Sequence, residues 1–309
     1  MHPPNPPLDI FEDAPCLRSL SINSIGISLP ISHTNLKLPW SQLKRLELKR
    51  WGQENSVRTL QNCTNLVDFT YKPSTDEEQD ETSVLVDLPC LKIIDLCENG
   101  DHSFDILDHL VVSALRDVTI RGWFSFKACR QFASLLQRSS CYVQKLHLRS
   151  FVIREYQLME CLENISTLVE LDIEYSAITD KLILRFTHGR TKNLLLPKLQ
   201  RLRICIVDFR STPGLFVDMI QSRWGATDGP SGDEVAKLRV VSLQYCNMDA
   251  RRVSTAQRRD QAISHTADDN PVIGETDDDA MDASDTNKWS QLDPLRAKGL
   301  DFHVDRWAI

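Results

Sequence analysis

The chain has 309 residues, 41% of them hydrophobic, and a formal net charge of −7. That balance excludes an overall basic footprint for nucleic acid, and no run approaches the roughly 18 uninterrupted apolar residues of a membrane span. A compact globule of this length would normally split into two domains, whereas an array that grows in one dimension escapes that limit.

The N-terminal stretch Met1-His2-Pro3-Pro4-Asn5-Pro6-Pro7 lacks the basic-then-apolar layout of a signal peptide. The pattern apolar-x-x-apolar-x-apolar then opens at Leu17, Leu43, Leu66, Leu91, Leu115, Val143, Leu168, Leu199 and Leu238, in steps of 23 to 39 residues. Each copy predicts a short strand whose last two apolar residues share a side, as period 2 requires. Between the strands, apolar residues at helical spacing predict helices over 125–137, 156–165, 180–186 and 213–224. Pro213 opens the last of these at a tolerated position, and Gly225 follows it. Pro39, Pro89 and Pro197 sit just before strands. Residues 73–83 (acidic) and 225–234 (Gly, Pro, Asp and Ser) read as solvated loops. Residues 251–288 carry almost no apolar periodicity and are expected to be a disordered charged insert, unable to offset ordering entropy. A helix over 289–298, a C-cap at Gly299 and a strand over 300–304 then form a capping half-repeat, 289–309.

Self-similarity at this period is the signature of a solenoid. The expected fold is therefore α/β: about nine irregular repeats over 1–250, with parallel strands on a concave face and helices or loops on the convex face of an irregular horseshoe. Each repeat buries its core against its neighbours and leaves one long face for a partner. The residue between the second and third apolar positions points out of that face. This row reads Ser21, Glu47, Thr70, Asp95, Thr119, His147, Asp172, Arg203 and Ser242, followed beyond the strands by Lys49, Arg121, Arg149 and Glu174. Glu47, Lys49, Asp95, Arg121, His147, Arg149, Asp172, Glu174 and Arg203 are the candidate partner-binding residues. Mixed charge suits a specific protein partner better than a phosphate backbone.

Other chemistry finds little support. The nine cysteines include no Cys-x₂₋₄-Cys spacing, so no zinc site is expected. Cys16, Cys63 and Cys90 before strands, and Cys97, Cys205 and Cys246 after them, read as small buried residues in reduced form, in the cytosol or nucleus. Cys129 lies on an apolar helix stripe and reads as core. Neither a G-x-S-x-G elbow, a phosphate-cradling glycine loop nor H-E-x-x-H is present, so no catalytic residue and no cofactor is expected. Ser254, after Arg251-Arg252-Val253, and Thr276, before Asp277-Asp278-Asp279, fit kinase patterns. Phosphate there would add nearly two negative charges.

The L-x-x-L-x-L frame with strand plus helix resembles leucine-rich repeats. The segments Phe11-Glu12-Asp13-Ala14-Pro15-Cys16-Leu17-Arg18-Ser19-Leu20, Phe216-Val217-Asp218-Met219-Ile220-Gln221-Ser222-Arg223-Trp224 and Leu300-Asp301-Phe302-His303-Val304 are similar to the irregular repeats of fungal F-box-type proteins. The resemblance covers most of the chain outside 251–288. It implies a substrate-recognition module of a ubiquitin ligase, with a protein partner on the concave face. Two departures bear on it. Lys49, Arg121 and Arg149 stand where the repeat usually carries Asn or Cys, and the F-box that would dock a ligase adaptor does not precede the repeats in this sequence. A ligase receptor and a free-standing scaffold therefore both remain open; a ligase adaptor is a partner only if an F-box lies upstream.

Overall fold

The computed structural model describes residues 11–12, 14–24, 36–74, 84–97, 104–122, 126–149, 155–190, 193–209, 213–225, 235–246 and 289–307. Every patterned segment falls on a strand: β1 (Ser19–Asn23), β2 (Arg45–Trp51), β3 (Asp68–Pro73), β5 (Ile93–Cys97), β7 (Asp117–Arg121), β8 (Lys145–Arg149), β9 (Glu170–Ile178), β10 (Arg201–Phe209) and β11 (Val240–Cys246). With β12 (Asp301–Trp307) they form one parallel ten-stranded sheet in the order β1-β2-β3-β5-β7-β8-β9-β10-β11-β12. A second, two-stranded parallel sheet joins β4 (Val86–Asp87) to β6 (Leu110–Val111). The helices α1 (Gln53–Leu60), α2 (Phe126–Ser139), α3 (Glu155–Glu163), α4 (Asp180–Phe186), α5 (Pro213–Gly225) and α6 (Asp293–Arg296) lie between strands in sequence. The chain divides into two compact units, residues 1–172 and 173–309.

In the first unit the three apolar positions of each pattern become three buried rows. Leu43, Leu66, Leu91, Leu115, Val143 and Leu168 are at most 1% exposed, and so are the strand residues Leu46, Leu48, Phe69 and Leu146. One turn precedes most strands: Leu43 N–H bonds Trp40 C=O, Leu66 bonds Cys63, Leu91 bonds Leu88, and Leu115 bonds Val112. The carbonyl just before each strand then accepts two N–H groups from the next. Lys44 C=O takes Val67 and Asp68; Val67 takes Lys92 and Ile93; Lys92 takes Arg116 and Asp117; Arg116 takes Gln144 and Lys145. This ladder fixes register strand by strand. Leu20 and Ile22 on β1 are only half-buried, although they occupy the same rows.

Helix α2 shows how the layer behind the sheet is built. Ala128, Cys129, Phe132 and Leu135 are buried on one face. Arg138, in its last turn, donates to Leu107 and Leu110 C=O, and buried Gln131 donates to Asp105 and Asp108 in the 3-10 turn at Asp105–His109.

In the second unit Thr179 caps α4 by accepting from Lys181 N–H. Arg223 of α5 is 0% exposed. It donates from Nε to Phe186 C=O at 2.8 Å, from Nη2 to Leu195 C=O at 2.8 Å and from Nη1 to Leu196 C=O at 3.1 Å. Phe186 ends α4, so its carbonyl has no partner within the helix. Leu196 sits at φ +53°, a left-handed conformation that costs a branched side chain about 1–2 kcal/mol. Gly299, at φ +101°, follows α6, and Leu300 N–H closes back on Leu295 C=O, giving the expected glycine-terminated stop.

Several expectations are corrected. Helix α1 lies outside the expected helices because its apolar stripe is only Val57 and Leu60; it buries Ser56 and Thr59 beside them, whose hydroxyls donate to Gly52 and Asn55 C=O. Pro73 is the buried last residue of β3 rather than the start of a loop. Among the cysteines, Cys63 and Cys129 are buried, but Cys16 is exposed and Cys90 and Cys97 are half-buried. Cys205 is disulfide-bonded, against the expectation of reduced thiols. The proposed disordered insert 251–288, with Ser254 and Thr276, lies outside the described residues, as do 75–83 and 226–234.

Candidate functional site

On the sheet face opposite the buried rows, the first unit carries three rows of polar side chains. Parallel register places Ser21, Glu47, Thr70, Asp95, Thr119 and His147 side by side across six strands. One row toward the strand starts runs Arg45, Asp68, Ile93, Asp117 and Lys145. Toward the strand ends, Lys49 aligns with Lys72 on β3, and Arg121 aligns with Cys97 and Arg149. Neighbours in a row stand roughly 4.8 Å apart, the inter-strand spacing. The face is thus graded: the strand-start row balances two carboxylates against two cations, the central row carries Glu47 and Asp95 with His147 at its edge, and cations dominate the last row.

These groups make a linked set of ion pairs. Ser21 Oγ donates to Glu47 Oε2 at 2.6 Å, and Lys49 Nζ stands 2.6 Å from Glu47 Oε1. The bond from Lys49, then that from Ser21, holds the Glu47 carboxyl below its usual range. Arg45 pairs with Asp68 at 2.9 Å, and Arg121 with Asp95 at 2.7 Å. His147 lies between two carboxylates, with Nδ1 at 3.4 Å from Asp172 Oδ2 and Nε2 at 3.9 Å from Asp117 Oδ1. The hydrogen bond to Asp172, outweighing desolvation, pushes the imidazole above its ordinary value. Desolvation does the opposite work on the acids: it pushes Asp95 up despite Arg121, and Asp117 up despite His147 and Lys145. Asp172 is only 5% exposed.

At the centre of this face is a shallow depression of about 340 Å³. Asp68, Asp95, Asp117, Arg121, His147 and Arg149 supply its charges, Thr70 and Thr119 its hydroxyls, and Ile93 an apolar wall. Ile93 is 38% exposed, a large apolar residue in an otherwise polar row.

Of the nine residues named from sequence, Glu47, Lys49, Asp95, Arg121, His147, Arg149 and Asp172 belong to the first unit, where Glu47–Lys49, Asp95–Arg121 and His147–Asp172 are brought into contact. Glu174 and Arg203 belong to the second unit, where Arg203 donates to Gln244 Oε1 on the next strand. Sequence reading missed Arg45, Asp68, Ile93 and Asp117. Their signal was present: they immediately precede the second apolar position, so period 2 puts them on the same face as the central row.

Among the described residues, no three His, Cys, Asp or Glu side chains converge as a metal site, and no helix is long and apolar enough to cross a membrane. In comparison with known proteins, the chain matches no family model and no curated protein.

Proposed function

We propose that this chain is a leucine-rich-repeat solenoid that binds a protein partner on the open face of its sheet, as a substrate-recognition module of the F-box ubiquitin-ligase type. The solenoid reading is supported by one strand per sequence pattern and by the strand-to-strand ladder of shared carbonyls. The observation that carries the binding reading is the registered row Ser21-Glu47-Thr70-Asp95-Thr119-His147, with its flanking charges.

The physical argument concerns side-chain order. Ionised groups free to rotate in water lose entropy when a partner orders them. Here Asp95, Arg121, Asp172 and His147 are already held by one another, so a complementary surface meets charges fixed in place. Such an array contributes specificity and association rate. The ligase assignment comes from the family-like segments, and the partner is a protein to be marked for degradation.

Co-purification tests both layers. The product of the complete native transcript, with whatever it encodes upstream of these repeats, is used as bait beside the charge reversals Arg121→Glu and Arg149→Glu, which leave the buried rows intact. The reading expects one partner retained by the wild type and reduced at least tenfold by each reversal, together with a ligase adaptor. A partner without an adaptor leaves a scaffold and removes the ligase layer. A partner captured equally by all three proteins contradicts the face.

A further inference from the structure

We propose that the depression at Asp117 is a socket for one basic side chain, an arginine or lysine presented by the protein partner. This rests on the binding face proposed above and names the chemistry its centre accepts.

The argument starts from unequal satisfaction of three carboxylates around one hollow. Asp68 accepts a hydrogen bond from Arg45 at 2.9 Å, and Asp95 accepts one from Arg121 at 2.7 Å. Asp117 accepts none among the described residues; its nearest cation is His147 Nε2 at 3.9 Å, beyond hydrogen-bonding distance. Its side chain is 28% exposed, so it is shielded from much of the water yet open on one side. A carboxylate in that state lacks the donors that ordinarily offset lost hydration. Burial accordingly raises its proton affinity, against the lowering pull of the His147 and Lys145 cations nearby.

The surroundings select the shape of the missing donor. Register puts Ile93 directly beside Asp117 in the same row, with Asp68 on the far side of Ile93. Thr119 follows two residues along the strand and also lines the hollow. An apolar wall leading to an unsatisfied carboxylate fits a side chain with an aliphatic stem and a cationic head. Lysine and arginine have that form. A carboxylate ligand seated against Ile93 would meet Asp117 on one side and Asp68 on the other, while Arg121 is already paired with Asp95. Free cations such as sodium would leave Ile93 without a partner.

The test uses the uniformly folded full-length chain with isotopically labelled isoleucine methyls, titrated with four blocked tripeptides: Gly-Arg-Gly, Gly-Lys-Gly, Gly-citrulline-Gly and Gly-Glu-Gly. Citrulline keeps the shape of arginine without its charge. The expected result is a saturable shift of the Ile93 methyl with the arginine and lysine peptides, at least tenfold weaker with citrulline. Asp117→Asn should weaken the arginine peptide at least tenfold with an unchanged melting temperature, whereas Arg45→Ala should change it less than threefold. Equal binding of arginine and citrulline, or unaltered binding in Asp117→Asn, overturns the socket. A glutamate peptide that shifts Ile93 instead also overturns it, while leaving a binding face in place. Failure of the face itself would be read separately, from a partner indifferent to Arg121→Glu.

Discussion

Two charged residues are buried among the described residues, and they are held in opposite ways. Arg223 in the second unit is surrounded by carbonyls: three N–H donors meet Phe186, Leu195 and Leu196. Asp172 in the first unit meets an imidazole, His147. Carbonyl dipoles do not titrate. Desolvation lowers the Arg223 guanidinium only to about 10, so it stays charged at neutral pH. The Asp172 partner does titrate, and it borders an open hollow. The same expense of burying charge thus gives a fixed clamp in one place and an adjustable group in the other. We read the first as architecture and the second as part of the proposed binding face.

Removing the clamp should have the largest effect. Arg223→Met leaves three carbonyls in a dry interior and frees the strained turn at Leu196; we expect a loss of about 3–5 kcal/mol in chemical denaturation, the scale for breaking a buried charged network. Arg223→Lys should recover less than half of that, since an ammonium cannot reproduce a planar fork. A loss below about 1 kcal/mol would remove the distinction between the two regions.

Arg138 makes a similar but less buried clamp in the first unit, donating to Leu107 and Leu110 C=O. Water can replace part of it, so Arg138→Met is expected to cost about 1–2 kcal/mol by the same measurement.

The His147 bond should show its size through pH. Its folded value is raised, so its contribution is complete below the unfolded histidine value of about 6.5 and is lost as pH rises through the folded value. His147→Gln should therefore destabilise by about 1–2 kcal/mol at pH 5.5 and by clearly less at pH 8.5. Asp95 and Asp117 are raised too, by desolvation first, and a carboxyl raised in the folded state also loses stability as pH rises, so the variant is compared with the wild type at each pH. In Asp172→Asn, an NMR titration should show the His147 value falling toward the ordinary one. A pH-independent penalty would make His147 a packing residue.

The exposed pair gives the smallest effect. Arg45 is 66% exposed against Asp68, and Arg45→Ala should change stability by no more than about 0.5 kcal/mol.

The two regions also differ in how far the sequence reveals them. Rows such as Leu46-Phe69-Ile94 follow from period 2 and the spacing of the pattern, and so does the central polar row. Asp117 shares that parity and was available to the same rule. The Arg223 clamp was not: it depends on where α4 ends and on the left-handed Leu196, and neither is written in local hydropathy. Helix α1 escaped for a local reason, since hydroxyls bonded to carbonyls one turn back fill part of its buried face, and nothing in the local pattern marks Cys205 as disulfide-bonded. Local periodicity specifies what faces in or out, whereas partners 27 or more residues apart depend on the packed structure.

The most direct test of the binding face is site-specific photocrosslinking in extract from the source organism. A benzophenone amino acid is placed at Thr119, in the hollow, or at Gln137, exposed on α2. The account predicts a discrete adduct of one protein from position 119, suppressed by Asp117→Asn, and none from position 137. Adducts from position 137 with none from 119 would contradict it.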